Sequence, residues 1–213
     1  MRKLDKGPEP AILTRRGAQW LADLRLARRS KDLREFSRCQ GKYSNKSIRN
    51  ALNQSHRDKC VYCESLVAHI APTHIEHFRP KGRYASLTFS WANLFLSCPV
   101  CNDGGHKGTK FPKVADGGPI VKPDVEEPSD HFDFLWDPIT STALVRPKTQ
   151  RGETTCKLLG LNRINLVKYR SEYLKKLLLI KTYAFTDAEA AELVDEALNE
   201  NAPFQAFARA YLT

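Results

Sequence analysis

The sequence contains no long hydrophobic run, since none of its apolar stretches is longer than LLLI at 177–180. A helix that crosses a bilayer needs about 20 consecutive apolar residues. The opening residues, MRKLDKGPEP, are charged and lack the apolar segment of a secretory signal. We therefore expect a cytoplasmic protein with no membrane partner. Internal repeats and low-complexity tracts are also absent, which excludes the repeat and low-complexity classes.

Acidic residues are scarce in the first half of the chain. Residues 1–116 carry 22 Lys and Arg against 10 Asp and Glu, whereas residues 117–213 carry 12 against 14. The formal net charge of +10 therefore resides in the first half. A basic half of this kind is typical of proteins that bind a polyanion such as nucleic acid. On charge alone, a basic surface that only faces solvent is the alternative.

Disulfide bonds are not expected in a cytoplasmic protein, so the six cysteines need another explanation. Four of them form two C-x-x-C pairs, Cys60 with Cys63 and Cys98 with Cys101, separated by 34 residues. Four thiolates at about 2.3 Å close a tetrahedral zinc site against water, which makes such a site structural. We predict one Zn²⁺ held by these four residues, rather than two separate redox pairs. The other two cysteines are interpreted as ordinary thiols: Cys39 and Cys156.

The hydrophobic spacing predicts a helical first region, residues 1–59, with helices over about 10–29 and from Ser44 to near His56. The second region, residues 60–113, is punctuated by Pro and Gly. Within it, THIEH (73–77) and YASLTFSW (84–91) have the β-branched and aromatic content of two strands. A short helix is expected to begin at Pro99.

The third region, residues 114–213, is predicted to be a linker followed by C-terminal helices. Pro, Gly and acidic residues at 113–130 predict a surface loop, while FDFLWDP and TALVRP predict a small strand pair. Apolar spacing predicts a helix over 164–183, and Thr186 with Glu189 predicts a capping box for the next one. A last helix should begin near Pro203. The predicted fold class is therefore α+β and mostly helical.

The cysteines belong to a longer series of motifs: CVYC, HIEHFRPK, WANLFLSCPVCN and HKG, within 60–108. This series resembles the zinc-clamped branch of the HNH endonucleases, which have a ββα-metal fold. The resemblance implies a ββα-metal core within 60–113, framed by α-helices on both sides. It also implies an enzyme that hydrolyses phosphodiester bonds in DNA, with RNA left open.

Further motifs, KGPEP, HFRPKGRY, WANLFLSC, KGTKFP and LLGLNR, resemble the PtuB-type HNH proteins. Such proteins accompany a PtuA-type ATPase in Septu and related retron anti-phage systems. The resemblance thus implies the nuclease subunit of a defence system, acting with an ATPase partner.

The resemblance to HNH endonucleases also assigns roles to single residues. His77 is the general base that takes a proton from the attacking water, a role that suits a neutral imidazole at cellular pH. Glu76 and Asn102 are ligands of a catalytic divalent cation, Mg²⁺ or another, which oxygen donors suit. Asn93 braces the loop that fixes His77. Glu76 stands where the usual residue is Asp, and Asn102 stands where many members have His.

Several basic residues close to the base are predicted to contact nucleic-acid phosphates: Arg79, Lys81, Arg83, His106 and Lys107. His106 is close enough in sequence to Asn102 that it could instead replace it as a cation ligand. His74 is interpreted as a structural or hydrogen-bonding residue, because residues three apart on a strand point to opposite faces and at most one of His74 and His77 can share the catalytic face. Two aromatic residues are interpreted as part of the core: Trp91 and Phe95.

Two other functions are compatible with the same sequence. One is a catalytically silent zinc module that binds nucleic acid or a partner protein. Such a module does not require the Glu76–His77 pair, so this pair discriminates between the silent module and the nuclease. A latent nuclease would act only beside its ATPase partner.

Overall fold

The computed structural model describes residues 1–69 and 71–213. Helices predominate in this part of the chain, and the strands form two separate antiparallel sheets, which confirms the predicted fold class. The helices are α1 (Ala11–Ser30), α2 (Leu33–Gly41), α3 (Lys46–His56), α4 (Pro99–Asn102), α5 (Gln150–Leu159), α6 (Ile164–Tyr183), α7 (Ala188–Leu198) and α8 (Gln205–Leu212). The strands are β1 (His74–His77), β2 (Leu94–Ser97), β3 (Phe132–Asp137) and β4 (Thr142–Pro147).

The N-terminal region contains three helices, of which α1 and α3 were predicted. The third, α2, was not predicted, because its sequence LREFSRCQG has too few apolar residues to show a helical period. Its start is fixed by Asp32, whose side chain accepts a hydrogen bond from the backbone N–H of Glu35. The cap of α3 is Asn45, which accepts from the N–H of Ser47.

Strand β1 pairs with β2, so that His77 lies opposite Leu94. The predicted second strand at 84–91 is wrong, since residues 85–87 and 91–93 form 3₁₀ turns and β2 begins at Leu94. The aromatic residues that suggested a strand, Phe89 and Trp91, are buried against the N-terminal helices. Their side chains serve the core, and their backbone does not pair.

The β1–β2 hairpin lies between two hydrophobic clusters. Ile75, Leu94 and Leu96 pack with apolar residues of α1, α2 and α3. Phe95 points to the other face and packs with the cysteines and with the C-terminal helices. Because strand side chains alternate between faces, this short hairpin contacts the N-terminal helices on one face and the cysteines and C-terminal helices on the other. Burial of Trp91 and Phe95 confirms their assignment to the core.

The segment 113–130 is not only a surface loop as predicted. Ile120 and Val121 are fully buried, and the backbone N–H of Val121 donates to Oγ1 of Thr155 on α5 at 2.9 Å. The loop is therefore attached to the core at its centre.

The C-terminal region contains the predicted strand pair, β3 and β4, and α6 has the predicted bounds. Helix α5 was not predicted. The predicted capping box of α7 is wrong, because the cap is Asp187, which accepts from the N–H of Ala190 at 2.8 Å. The last helix, α8, begins at Gln205.

No helix in the described ranges 1–69 and 71–213 combines the length and the apolar character that a membrane span requires.

Candidate active site

Two loops bring four cysteines together. Cys60 and Cys63 lie in the segment that follows α3, while Cys98 and Cys101 lie at the start of α4. Their sulfur atoms are all within 4.8 Å of one another, and all four residues are buried. The prediction of a four-cysteine cluster is confirmed. The two other cysteines lie outside it, Cys39 buried on α2 and Cys156 half-buried on α5.

The cluster has dimensions that fit a tetrahedral zinc site. The Sγ atoms of Cys63 and Cys98 are 3.9 Å apart. This is too long for a disulfide, whose sulfurs are about 2.05 Å apart. It matches the separation of about 3.8 Å between two ligands of a tetrahedral zinc with bonds of about 2.3 Å. A guanidinium nitrogen of Arg163 lies 3.7 Å from Sγ of Cys101, which suits the negative charge of four thiolates around one Zn²⁺.

His77 is the last residue of β1 and is only 7% exposed. Its Nε2 lies 3.0 Å from the carbonyl oxygen of Thr88, so the neutral ring donates Nε2–H there and carries its lone pair on Nδ1. The ring of Tyr43 packs edge-on against the imidazole, with centroids 4.6 Å apart. Within the described residues, no protein group is hydrogen-bonded to Nδ1.

The surroundings of His77 keep it neutral. Its pKa is lowered to about 4, mainly by burial and further by the charges of Lys81 and Lys107, against the opposing effect of the Thr88 carbonyl. Neutral imidazole is therefore the dominant form at neutral pH, as a general base requires. The negative charge of a phosphodiester beside the ring would raise this pKa and strengthen the base.

Glu76 lies on the opposite face of β1 from His77 and is only 3% exposed. Its carboxylate forms an ion pair with the fully buried Lys107 and accepts a hydrogen bond from the hydroxyl of Tyr62 at 3.3 Å. Lys107 also donates to the carbonyl oxygen of His77 at 3.0 Å. Glu76 is thus enclosed by protein groups, whereas an open cation ligand would face solvent.

Asn93 spans the loop between β1 and β2. Its Oδ1 accepts from the backbone N–H of Arg79 at 2.8 Å, and its Nδ2 donates to the carbonyl oxygens of Arg79 and Leu87 at 3.0 and 3.2 Å. The residue after Leu87 is Thr88, whose carbonyl holds His77. This geometry supports the bracing role assigned to Asn93.

Asn102 is the last residue of α4 and lies beside His74, the first residue of β1. Nδ2 of Asn102 is 3.3 Å from Nδ1 of His74, and this contact is exposed to solvent. His74 and His77 point to opposite faces of the strand, as expected. The side chain of His74 is exposed outside the core, and its contact with Asn102 is of the hydrogen-bonding kind expected for it.

Three predicted phosphate contacts lie in the loop after β1. Arg79 and Arg83 are exposed, and Lys81 is half-buried. Nζ of Lys81 lies 4.3 Å from the ring centre of Tyr43, the ring that packs on His77. Positive charge is therefore present directly beside the candidate base.

Two other predicted phosphate contacts have different surroundings. Lys107 is fully buried in its ion pair with Glu76, and this burial excludes the contact predicted for it. Nδ1 of His106 is 3.0 Å from Oδ1 of Asp103. Its ring also lies so close to Gly160 that a Cβ at that position would be 2.6 Å from Nε2. His106 therefore packs the segment after α4 against the end of α5.

Three residues of the site were missed in the sequence: Tyr43, Tyr62 and Thr88. Tyr62 lies inside the CVYC motif, so its proximity to the cysteines could have been inferred. Tyr43 packs edge-on against the ring of His77, and Thr88 accepts a hydrogen bond from His77 through its backbone carbonyl. These long-range contacts leave no pattern in a single sequence.

Comparison with known proteins identifies the segment that contains this site. Residues 60–108 match the family model of the HNH endonucleases. The chain is 35% identical over 123 residues to a Septu protein PtuB of Bacillus thuringiensis, covering 57% of this chain and 44% of that protein. It is 26% identical over 211 residues to a Septu protein PtuB of Bacillus mycoides (strain KBAB4), covering 85% and 70%.

A third similar protein, from Vibrio cholerae serotype O1 biovar El Tor, carries both Retron Vc95 and HNH endonuclease in its name. It is 25% identical over 162 residues, covering 74% of this chain and 78% of that protein. The chain thus spans less than half the length of the first of these relatives and more than two thirds of the others. The four-cysteine cluster and His77 thus lie in a segment, residues 60–108, that matches the family model of the HNH endonucleases.

Proposed function

We propose that this protein is a metal-dependent endonuclease that hydrolyses phosphodiester bonds in DNA. The observation that carries the proposal is the state of His77, a neutral imidazole inside the HNH segment whose Nε2 is fixed and whose Nδ1 has no hydrogen-bond partner among the described residues. A neutral ring fixed in this way is suited to accept a proton from water.

We propose the following reaction. Nδ1 of His77 takes a proton from a water molecule as the water oxygen attacks the phosphorus atom. The bond from phosphorus to the 3′ oxygen breaks, and solvent protonates that oxygen. A divalent cation, for which Asn102 is an expected ligand, would supply positive charge to the phosphodiester. Arg79 and Arg83, both exposed, are positioned to hold neighbouring phosphates.

The four cysteines are proposed to bind one structural Zn²⁺. All four positions of a tetrahedron are taken by thiolates, which leaves no site for water or substrate. Zinc would then fix β2 and α4 relative to the segment after α3, and so hold the hairpin that carries His77.

The N-terminal helices are proposed to extend the surface that binds DNA. Arg25, Arg28 and Arg29 are exposed on α1. The same helix is linked to the site through Trp20, whose ring packs on Phe89 with centroids 5.6 Å apart. Phe89 directly follows Thr88, whose carbonyl oxygen accepts from His77, so α1 packs against the loop that holds the candidate base.

The defence role and the ATPase partner are proposed from the relatives. Two similar proteins bear the name Septu protein PtuB, and a third bears the name of a retron. We infer that this chain is the nuclease subunit of an anti-phage system and acts beside an ATPase of the PtuA type. In that case the nuclease is activated in the complex.

A catalytically silent zinc module is the second candidate. It is favoured by the low exposure of His77, 7%, and by the enclosure of Glu76 in an ion pair. Such a module would bind nucleic acid without cleaving it.

Nicking of supercoiled plasmid DNA in the presence of Mg²⁺ or Mn²⁺ tests the proposal. The protein is assayed alone and after co-expression with the proposed partner, an ATPase of the PtuA type. We expect nicking in at least one of these states and its loss in His77→Ala, with zinc content and thermal unfolding retained. His131→Ala, in the C-terminal region, is the matched control and should cleave normally. Cleavage by His77→Ala at the normal rate, or no cleavage in either state, would contradict the proposal.

A further inference from the structure

Glu76 and His74 point to the same face of β1, but their side chains differ in exposure to solvent. Glu76, the ligand expected from the family resemblance, is 3% exposed. His74, two residues earlier and on the same face, is exposed, and its neighbour Asn102 is half-buried. The accessible pair is therefore His74 with Asn102.

The negative charge of the Glu76 carboxylate is already balanced by a positive charge of the protein. Lys107 forms an ion pair with it, is fully buried, and donates to the carbonyl oxygen of His77 at 3.0 Å. Transfer of the carboxylate to a cation would leave the ammonium group of Lys107 buried without its counter-charge. Breaking one partner out of a buried ion pair is strongly unfavourable, because an uncompensated charge remains. Glu76 therefore does not fit the role of an open ligand.

His74 and Asn102 are held together by the segment that contains the second cysteine pair. His74 pairs with Ser97 across the hairpin, and Ser97 directly precedes Cys98. Asn102 directly follows Cys101, and its backbone N–H donates to the carbonyl oxygen of Cys98 at 3.2 Å. The four-cysteine cluster thus fixes both side chains relative to each other. Their 3.3 Å contact brings an imidazole nitrogen and an amide to one exposed point.

The two side chains offer a suitable donor set. His74 can supply a ring nitrogen, and Asn102 can supply its Oδ1 once the amide turns its oxygen toward the same point, since oxygen and nitrogen occupy nearly equivalent positions. Water and a phosphate oxygen can complete the coordination. A ligand set with an imidazole nitrogen favours transition-metal ions over Mg²⁺ and Ca²⁺, which prefer oxygen ligands.

We propose that His74 and Asn102 hold the catalytic divalent cation, that Glu76 is a positioning residue locked by Lys107, and that the site prefers Mn²⁺ and later transition metals over Mg²⁺. This inference rests on the proposed nuclease function for the cation's role in cleavage. Its ligand assignment can be measured without DNA and without turnover.

The test measures Mn²⁺ binding to the zinc-loaded protein by electron paramagnetic resonance. Wild type should bind Mn²⁺ more tightly than Mg²⁺, and pulsed measurements should detect the nitrogen of a coordinated imidazole. His74→Ala should remove the nitrogen signal and lower the affinity about tenfold or more, which corresponds to about 1.4 kcal/mol. Asn102→Ala should also lower the affinity, with the nitrogen signal kept.

Glu76 supplies the discriminating comparison. Glu76→Gln should keep the Mn²⁺ affinity within about twofold, equivalent to about 0.4 kcal/mol. If this variant fails to fold, the double variant Glu76→Gln/Lys107→Met replaces both charges and tests the same point, because removal of a whole buried pair is better tolerated. Loss of Mn²⁺ binding in the folded Glu76 variants, or an unchanged nitrogen signal in His74→Ala, would overturn the inference.

The two proposals fail in different ways. If the protein binds Mn²⁺ through His74 but never cleaves DNA, the nuclease proposal fails and the ligand assignment stands. If His77-dependent cleavage is found but His74→Ala binds Mn²⁺ normally, the ligand assignment fails and the nuclease proposal stands.

Discussion

At the scale of single residues, histidines of this protein differ in function because they differ in surroundings. His77 is neutral and has one ring nitrogen without a partner in the described ranges, His74 is exposed beside Asn102, and His106 packs against Gly160. A fourth, His56 at the end of α3, has both ring nitrogens engaged. Nδ1–H donates to the carbonyl of Leu52 at 2.8 Å, and Nε2 accepts from the N–H of Leu96 at 3.1 Å.

Burial of His56 should make the free energy of unfolding depend on pH. Its pKa is lowered from 6.5 to about 3, mainly by burial and further by the charge of Lys6, so the folded state holds it neutral. Between these values the unfolded state binds more protons than the folded state, and the free energy of unfolding therefore rises with pH. We expect wild type to lose stability in urea titrations as pH falls from 7 to 5.

The variant His56→Leu removes this contribution. It should be less stable at pH 7 by about 1–3 kcal/mol, because the buried N–H of Leu96 loses its acceptor. Its stability should change less than that of wild type between pH 7 and 5. An equal slope in His56→Leu and wild type would refute the assignment.

At the scale of elements, the loop between β1 and β2 is held by one side chain. Asn93 makes three hydrogen bonds to the backbone of Arg79 and Leu87 and is 4% exposed. Because the Thr88 carbonyl lies in this loop, any movement of the loop also moves His77.

Asn93→Ala should therefore affect both stability and cleavage. Loss of buried backbone partners should lower the free energy of unfolding by about 2–4 kcal/mol, given about 1–3 kcal/mol for each unsatisfied group. The rate of cleavage should fall in the same variant at temperatures where it remains folded. Chemical denaturation and plasmid nicking measure the two effects. Asn50→Ala, at an exposed position of α3, is the control, and equal behaviour of the two variants would argue against bracing.

Helix α1 carries a second prediction at this scale. Arg25→Gln/Arg28→Gln/Arg29→Gln should weaken DNA binding and reduce the salt slope, by about one for each phosphate that the variant no longer neutralises. Fluorescence anisotropy at several salt concentrations measures this slope. The control replaces three exposed lysines of α6 by Gln: Lys168, Lys175 and Lys176. A similar decrease of affinity in both triple variants would mean that α1 has no special role.

At the scale of the whole molecule, the four-cysteine cluster lies where the halves meet. The core around it includes Phe95 from the hairpin and Phe204 and Phe207 from the C-terminal end. Glu64, next to Cys63, accepts a hydrogen bond from the N–H of Ala206 at 3.1 Å. Metal binding should therefore stabilise the C-terminal helices as well as the hairpin.

Zinc removal is expected to destabilise the whole fold. Metal binding at such a site contributes on the order of 10 kcal/mol, comparable with the total stability of a domain of about 5–15 kcal/mol. Metal analysis should find about one zinc per chain. Cys98→Ser should lose zinc and unfold at a lower temperature, while Cys156→Ser should keep both zinc and thermal stability. A zinc-free Cys98→Ser protein with a normal Tm would contradict the structural role.

The sequence was sufficient for some of these features and insufficient for others. Cysteine spacing predicted the cluster, because two C-x-x-C pairs have few other uses, and apolar periodicity predicted the bounds of α6. Residues 84–91 were wrongly predicted to be a strand, because Phe89 and Trp91 are buried aromatic residues of the kind that strands also contain. The accessibility of Glu76 and His74 depends on Lys107 and Asn102. Such partners become neighbours only in the folded chain.

The chemistry of hydrolysis at His77 is tested most directly by the ends of the cleaved DNA. Wild type and His77→Ala, each in the state in which wild type nicks plasmid DNA, are assayed in water enriched in ¹⁸O. Attack of water on phosphorus with departure of the 3′ oxygen predicts 3′ hydroxyl ends and one ¹⁸O in each 5′ phosphate, with no product from His77→Ala. Unlabelled phosphates, 3′ phosphate ends or labelled products from His77→Ala at the wild-type rate would contradict it.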